Sequence, residues 1–304
     1  MFSLPQFLLK PGTTTGLFQL CEHWRETVLS ANCQLDPCPW ELGIPPWVLA
    51  GKVRGAWGEE LKRSASPQAL AGGSCPWHPP CALDVFFRSQ GNIAGGLEIC
   101  KPFVLRIDYA PNQNQVKMEL SLFGLAQDYA TAASASLACA LIHRLRWAPG
   151  RQSGCKINDL KIETASGPMC AEAGMKARME FISPLNQRKG NQCVVNPPSI
   201  ITGMGSRLSG LARWHGLELK EDFSLIKEIA YSLQWEYEVR EFPKWFRRSH
   251  KQGGKEIPME GFLGDLWLRG DLVSLAPLLA LGQRCHAGGR TALGMGRYHL
   301  HWHY

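Results

Sequence analysis

The alanine-rich segment Leu125–Arg146 constrains the fold most, because it is the clearest helix in the chain and it ends just before a Pro-Gly pair. Two strand-like segments precede it, Lys101–Asp108 and Gln115–Phe123, and the sequence Pro-Asn-Gln-Asn between them is typical of a turn. After the helix, Ile157–Glu163 alternates apolar and polar residues and predicts a further strand. The middle of the chain therefore predicts two strands, a long helix and a strand, in that order.

An earlier strand and helix complete this unit. Glu26–Leu35 alternates like a half-buried strand, and Trp47–Arg63 has apolar residues near helical spacing. Strand, helix, two strands, helix and strand is the element order of the ferredoxin-like (RRM-like, βαββαβ) unit. We therefore predict an α+β fold whose first domain is ferredoxin-like and spans residues 1–165.

The second half repeats this order of elements without repeating the sequence. The stretch 165–169 is the expected boundary, so a second, tandem ferredoxin-like domain is predicted over residues 166–304. Its predicted strands are Met175–Ile182, Glu236–Phe242, Ile257–Leu268 and Thr291–Trp302, and its predicted helices are Pro198–His215 and Leu272–Leu281.

Composition limits the class of protein. The chain has 304 residues, of which 45% are hydrophobic, so it can bury proper cores. It has no run of 18 apolar residues, and its first ten residues are broken by Pro5, so we predict neither a membrane span nor a signal peptide and expect a cytoplasmic protein. Eleven cysteines, an odd number, are then expected to be reduced.

Positive charge is concentrated late in a chain of formal net charge +7. One basic stretch also contains aromatic residues, so it could pair with phosphates and stack on a base. The alternative is a solvated loop. The nucleic-acid-binding candidates in this stretch are Lys244, Trp245, Arg247, Arg248 and Lys251.

A glycine-rich segment follows an apolar, leucine-rich one near the end of the chain. Exposed backbone N–H groups in such a segment can bind phosphate oxygens, and arginines add charge-assisted hydrogen bonds. The alternative is a tight turn into a buried strand. A mononucleotide P-loop is disfavoured, because no Gly-Lys-Ser/Thr sequence follows the glycines. The candidates here are Gly288, Gly289, Arg290, Gly294, Gly296 and Arg297.

Several different short motifs follow one another along the chain. They are Lys52–Gly58, Cys75–Cys81 followed by Val85–Phe87, Lys101–Leu105, Leu122–Gly124, Phe181–Leu185, Arg247–Ser249 followed by Gly261–Gly264, and the final series Gly282, His286, Gly288, Thr291, Gly294, Gly296, Arg297 and Tyr298. In this order and spacing they resemble the CRISPR-associated repeat-processing endoribonucleases of the RAMP superfamily.

The resemblance implies two ferredoxin-like domains that bind CRISPR repeat RNA and cut a precursor transcript within each repeat. It implies attack by a ribose 2′-OH on the adjacent phosphate, with a 2′,3′-cyclic phosphate and a 5′-OH as products, and without a metal or another cofactor. It further implies that the protein stays bound to its product, the guide RNA, and joins the other subunits of a CRISPR effector complex. No membrane partner is expected.

Many members of this family carry a histidine on or just before the first helix. This chain has none between His23 and His78. The candidates for proton transfer are His23 and His286, and those for charge stabilisation are Lys52 and Arg54. A catalytically inactive RAMP-type subunit that only holds guide RNA is the alternative.

Cys75, His78 and Cys81 have spacings that could bind zinc, with Cys38 or Cys100 as a fourth ligand. The alternative is a proline-stiffened loop with reduced, partly buried cysteines, and we expect no bound zinc. A zinc-stabilised protein without nucleic acid is a third hypothesis, and the basic aromatic stretch argues against it.

Overall fold

The computed structural model describes residues 3–10, 12–93, 96–148, 150–165, 167, 173–190, 192–220, 223–249 and 254–303. It has a mixed helix and sheet architecture, as the α+β prediction requires. None of the described helices is long and apolar enough to span a membrane.

The helices are α1 (Leu4–Leu9), α2 (Leu17–Glu22), α3 (Pro46–Leu61), α4 (Pro67–Leu70), α5 (Ala82–Phe87), α6 (Ala130–His143), α7 (Pro197–Ala212), α8 (Phe223–Ser232) and α9 (Ala276–Cys285). The strands are β1 (Thr13–Thr15), β2 (Glu26–Asp36), β3 (Phe103–Ala110), β4 (Gln115–Phe123), β5 (Arg146–Ala148), β6 (Arg151–Gln152), β7 (Gly154–Ala165), β8 (Lys176–Leu185), β9 (Arg188–Lys189), β10 (Gln192–Cys193), β11 (Leu217–Leu219), β12 (Gln234–Glu241), β13 (Lys244–Ser249), β14 (Lys255–Glu260), β15 (Phe262–Arg269) and β16 (Tyr298–His303).

The chain forms two compact units. The first unit consists of Met1–Gly167 and Ser206–Lys220, and the second unit of Pro168–Gly205 and Glu221–Tyr304. The segment 206–220, which the sequence division placed in the second domain, groups with the first unit because β11 pairs in parallel with β1.

The first unit is built on a four-stranded antiparallel sheet in the order β3-β4-β2-β7. Alternate residues of β2 are buried, and α3 buries Leu49, Val53 and Trp57 along one side. The Trp57 ring lies edge-on to Phe103 of β3, with centroids 5.2 Å apart. The apolar periodicities of strand and helix therefore meet in one core.

The second unit has a sheet of the same kind, in the order β12-β15-β8-β16. When the strands are numbered by chain order within each four-stranded sheet, both sheets have the spatial order second, third, first, fourth. Buried leucines of α9 contribute to its core, and the hydroxyl of the fully buried Tyr298 donates to the Leu279 carbonyl at 2.5 Å. The hairpin β13–β14 is inserted between β12 and β15.

The structure corrects three predicted elements of the second unit. The predicted strand Ile257–Leu268 is two strands, β14 and β15, which pair with different partners. The predicted helix Leu272–Leu281 begins only at Ala276, with Pro277 in its first turn, and continues to Cys285. The predicted strand Thr291–Trp302 begins only at Tyr298, because residues 291–293 form a 3₁₀ turn that ends at Gly294 with φ +80°.

Candidate nucleic-acid interface

The hairpin β13–β14 presents two different faces. Trp245 and Arg247 are half-buried on one face, whereas Lys244, Phe246 and Arg248 alternate with them and are exposed. The Phe246 side chain is 69% exposed, so its ring is open to contact with a ligand. The other predicted binding residue of this stretch, Lys251, lies outside the described residues.

The inner face of the hairpin packs on the glycine-rich segment. Met259 of β14 forms a buried cluster with Leu293 and Met295, and the half-buried Trp245 packs against that cluster. This packing joins residues 244–249, 254–260 and 286–297 into one surface, which we call the basic surface. Arg188, which is ion-paired with Glu260 of β14, also belongs to it. The sequence predicted both segments as binding elements, and the structure places them together.

Three arginines meet on the basic surface. The Gly289 N–H donates to the Asn186 carbonyl at 2.7 Å, which holds the next residue, Arg290, beside the segment that carries Arg188. Burial and the neighbouring charge of Arg188 lower the pKa of Arg290. Burial and the neighbouring charge of Arg290 in turn lower the pKa of Arg247. Arg290 is therefore close enough to Arg188 and to Arg247 for like charges to repel.

Little within the described part of the chain offsets this repulsion. Arg188 has one acidic partner, with its Nη2 3.4 Å from Glu260 Oε1. The Nε of Arg247 is buried without a hydrogen-bond acceptor. No described carboxylate lies within ion-pair distance of Arg247 or Arg290. A bound polyanion would relieve the repulsion and supply the missing acceptors.

The structure corrects the predicted backbone cradle for phosphate. The N–H groups of Gly289, Gly294 and Gly296 already donate to the carbonyls of Asn186, Thr291 and Pro184, at 2.7, 2.9 and 3.0 Å. Gly294 and Gly296 are also buried. These amides build the turn, and the groups of this segment that can meet a ligand are side chains.

The turn needs glycine because it has no room for a side chain at two positions. The φ of Gly296 is +73°, and a Cβ there would lie 1.8 Å from the Ala287 carbonyl oxygen. The φ of Gly288 is +71°, and a Cβ there would lie 2.6 Å from Leu185 Cδ1. Gly288 is therefore also a structural residue. Arg290 and the half-buried Arg297 remain as binding candidates of the segment.

His286 does not fit the catalytic role that the sequence suggested. It is fully buried, its φ is +65°, and its Nδ1 lies 3.1 Å from the Met295 carbonyl within the glycine-rich turn. An imidazole in this position cannot reach a ribose hydroxyl in this structure, so the structure favours a role in shaping the turn.

The remaining catalytic candidates lie in the first unit. His23 is exposed at the end of α2, with its Nδ1 2.8 Å from the Gln19 carbonyl. Lys52 on α3 is half-buried and donates to the Trp147 carbonyl at 3.0 Å, and burial lowers its pKa. The Arg54 guanidinium lies over the Phe87 ring, 4.7 Å from its centroid. The contacts of these three side chains are with different partners and do not define one catalytic cluster.

Another buried histidine, His215 of the first unit, is also unsuited to proton transfer. The His215 ring stacks on Trp24, with centroids 4.6 Å apart, and its Nδ1 accepts from the Arg25 N–H at 3.3 Å. Burial, and then the Arg25 charge, lower the pKa of His215 to about 3. The imidazole therefore stays neutral and serves packing.

The cysteine loop and the C-terminal histidines do not form a metal centre in the described residues, where no group of three or more His, Cys, Asp and Glu side chains is arranged to hold an ion. Cys75 and Cys81 are buried, but His78 between them is exposed. His299, His301 and His303 lie on one exposed side of β16, and His301 Nε2 is 3.3 Å from Glu180 Oε2.

Sequence reasoning missed Arg188 and Glu260. Each lies in a short polar stretch without a motif of its own, and only the Asn186–Gly289 contact and the β14 register bring them to the basic surface. No local pattern could have identified them.

The chain has two units, each built on a four-stranded sheet, and the second unit carries the basic surface. The family model of the CRISPR-associated endoribonuclease Cas6 matches residues 179–298, which include Arg188, the hairpin and the glycine-rich turn. This match confirms the resemblance to the CRISPR repeat-processing endoribonucleases that the motifs indicated. No curated protein matches the chain.

Solved Cas6 structures share the fold. The Cas6 (TTHB231) product complex is 17% identical with a TM-score of 0.51, over 90% of this chain and 99% of that chain. The Cas6 (TTHA0078) product complex is 14% identical with a TM-score of 0.52, over 91% and 99%. Thermus thermophilus Cas6 (TTHB231) is 16% identical with a TM-score of 0.50, over 91% and 99%. At these identities the likeness concerns the fold alone.

Proposed function

We propose that the protein is a CRISPR precursor-RNA endoribonuclease that binds repeat RNA and cuts it. The observation that carries the proposal is that the segment matched by the Cas6 family, residues 179–298, is the segment that builds the basic surface. RNA supplies a regular array of phosphates, which is the ligand that a cluster of arginines without enough carboxylate partners requires.

The proposal includes two tandem ferredoxin-like domains, over residues 1–165 and 166–304. The shared strand order of the two sheets supports it. So does the chain order of the first unit, in which α3 follows β2 and α6 follows β4. In the second unit α7 follows β8, and α9 follows β15.

Repeat RNA binds, in this proposal, along the basic surface. Arg188, Arg247 and Arg290 contact backbone phosphates, and the exposed Arg248 and Lys244 extend the same charge along the hairpin. Phe246, which nothing in the described chain covers, stacks on an unpaired base. These contacts hold the RNA, and they leave the chemistry to other residues.

Cleavage proceeds by attack of a ribose 2′-OH on the adjacent phosphate, giving a 2′,3′-cyclic phosphate and a 5′-OH. The nucleophile lies within the substrate, so the protein needs only to align it, to move a proton and to stabilise the extra phosphoryl charge. Lys52 and Arg54 are the proposed cations. The pKa of Lys52, lowered by burial, also brings its ammonium closer to the range useful for proton transfer. His23 is the exposed imidazole available as a base. The reaction needs no metal.

A second candidate function follows from the positions of the histidines. α3 carries no histidine, and His286 is buried. A subunit that holds guide RNA within a CRISPR effector complex, without cutting it, would have the same basic surface. For the active endoribonuclease, we propose that it keeps its product, the guide RNA, bound after the cut.

The test is incubation of the purified protein with the repeat RNA of its own host in the presence of EDTA. We expect one cut in each repeat, at a rate that EDTA leaves unchanged. An absolute requirement for added Mg²⁺ would contradict the proposed chemistry. Tight, repeat-specific binding without any cut would select the guide-RNA-binding alternative.

A further inference from the structure

Cys75 and Cys81 form a thiol pair at the start of α5. Both are free cysteines, 5% and 8% exposed, and they pack in one small cluster with Ala69. Cys81 is the N-cap residue of α5, and its backbone N–H donates to Cys75 Sγ at 3.2 Å. Each thiol also lies close enough to the other to affect its pKa. A bond between the sulfurs therefore requires little movement of the chain.

The two sulfurs differ in their surroundings. Burial raises the pKa of the Cys75 thiol, but hydrogen bonds from the Ser66 hydroxyl and from backbone N–H groups outweigh this effect and leave the pKa below its usual value. For Cys81, burial is the largest effect and the pKa is raised. Cys75 is therefore the better thiolate of the pair, and Cys81 is suited to attack second.

A cavity gives Cys75 access to small molecules. Its volume is about 230 Å³, and Phe7, Trp77, His78 and Pro80 line it together with Cys75. The rings of Phe7 and Trp77 are 45% and 47% exposed, so the cavity opens at the surface of the first unit. The sulfur is shielded from bulk solvent, but a small reagent can approach it through this opening.

We propose that Cys75 and Cys81 are a dithiol site that reacts with low-molecular-weight disulfides of the glutathione class. The Cys75 thiolate attacks one sulfur of the small disulfide, forms a mixed disulfide and releases one thiolate, which takes up a proton. Cys81 then loses its proton and attacks Cys75 Sγ, which forms the Cys75–Cys81 bond and releases the second thiol. Two protein thiols are oxidised, and one small disulfide is reduced to two thiols.

A second cysteine pair provides an internal comparison. Cys33 on β2 and Cys155 on the neighbouring strand β7 are also free cysteines; the Cys33 side chain is completely buried within the sheet, and Cys155 is half-buried. Neither lines the cavity described above. We therefore expect this pair to stay reduced under conditions that oxidise Cys75 and Cys81.

The full chain, incubated with oxidised glutathione, alkylated and digested, should give one peptide pair joined through Cys75 and Cys81. Cys81→Ser should instead accumulate glutathione on Cys75, because the second attack is removed. Cys75→Ser should react at Cys81 at least about tenfold more slowly, since Cys81 is the poorer thiolate. Cys139→Ser, at an exposed cysteine, is the matched control and should oxidise like the parent.

Circular dichroism melting of each variant checks that it is folded. No Cys75–Cys81 link in the folded parent would overturn the proposal, and so would oxidation of Cys33 and Cys155 in its place. Equal rates of glutathione addition to the two single variants would refute the assigned order of attack. The experiment uses no RNA, so its outcome does not depend on the proposed function.

Discussion

Reversing the charges of Arg247 and Arg290 together, as Arg247→Glu with Arg290→Glu, should weaken the binding of repeat RNA by about a hundredfold or more, or about 2.7 kcal/mol. Both side chains lie on the basic surface without a described acidic partner. The charge of a neighbouring arginine lowers the pKa of each, and RNA phosphates would relieve this repulsion. Removing two phosphate contacts should also reduce the slope of log Kd against log salt concentration by about two. Fluorescence anisotropy across a salt series measures both quantities.

The control for these variants is Arg269→Glu. Arg269 is an exposed arginine of the same unit, at the far end of β15 from the hairpin and roughly 20 Å along the strand. Arg269→Glu makes the same charge change as each of the two substitutions in the double variant. We expect it to change the affinity for repeat RNA by less than about threefold. A double variant that stays folded and binds repeat RNA with the parent's affinity and salt slope would remove the basic surface from the binding site.

Gly296→Ala should lower the free energy of unfolding by about 3 kcal/mol or more. An alanine at φ +73° is strained, and its Cβ would lie 1.8 Å from the Ala287 carbonyl oxygen, so the turn must open to admit it. Opening the turn also disturbs the hydrogen bond from the Gly296 N–H to the Pro184 carbonyl. Denaturant unfolding followed by circular dichroism measures the change.

Gly289→Ala is the matched control, because Gly289 belongs to the same segment but its φ is not in the positive range. Its Cβ would lie 3.2 Å from Asn186 Oδ1 and 3.3 Å from the Asn186 carbonyl oxygen, far less crowded than the position at Gly296. We expect a loss of less than about 1 kcal/mol there. Equal stability of Gly296→Ala and the parent would contradict the structural role assigned to the glycine-rich turn.

Periodicity predicted most of the strands and helices, because an element that buries one face has apolar residues at the spacing of that face. Gln115–Phe123 was predicted with the bounds that β4 has. The end of the chain was predicted less well. Thr291–Gly296 is apolar enough to resemble a strand, but positive φ angles at Gly294 and Gly296 turn it back on itself. The short helices α1 and α2 and the division of 257–268 into two strands depend on tertiary packing, which local patterns do not record.

The two parts of the candidate binding surface were singled out separately in the sequence. Clustered cations with Trp245 marked the basic stretch, which the structure shows to be in a hairpin, and the glycines marked the turn. Their union depends on the contact of Met259 with Leu293 and Met295, which are distant in sequence. The expectation of free backbone amides was wrong because their acceptors, such as the Pro184 and Asn186 carbonyls, come from a remote segment. A glycine-rich sequence does not tell whether its N–H groups face a ligand or the protein itself.

Cleavage by the ribose 2′-OH is tested most directly with a repeat RNA that carries a single 2′-deoxynucleotide immediately 5′ of the mapped cut. If the protein is a nuclease that uses the ribose hydroxyl as its nucleophile, this RNA should bind with the parent affinity and remain uncut. The unmodified RNA should give a 2′,3′-cyclic phosphate and a 5′-OH, which mass spectrometry identifies. Cutting of the deoxy-substituted RNA at the same position and rate, or products ending in a 3′-OH, would contradict the account.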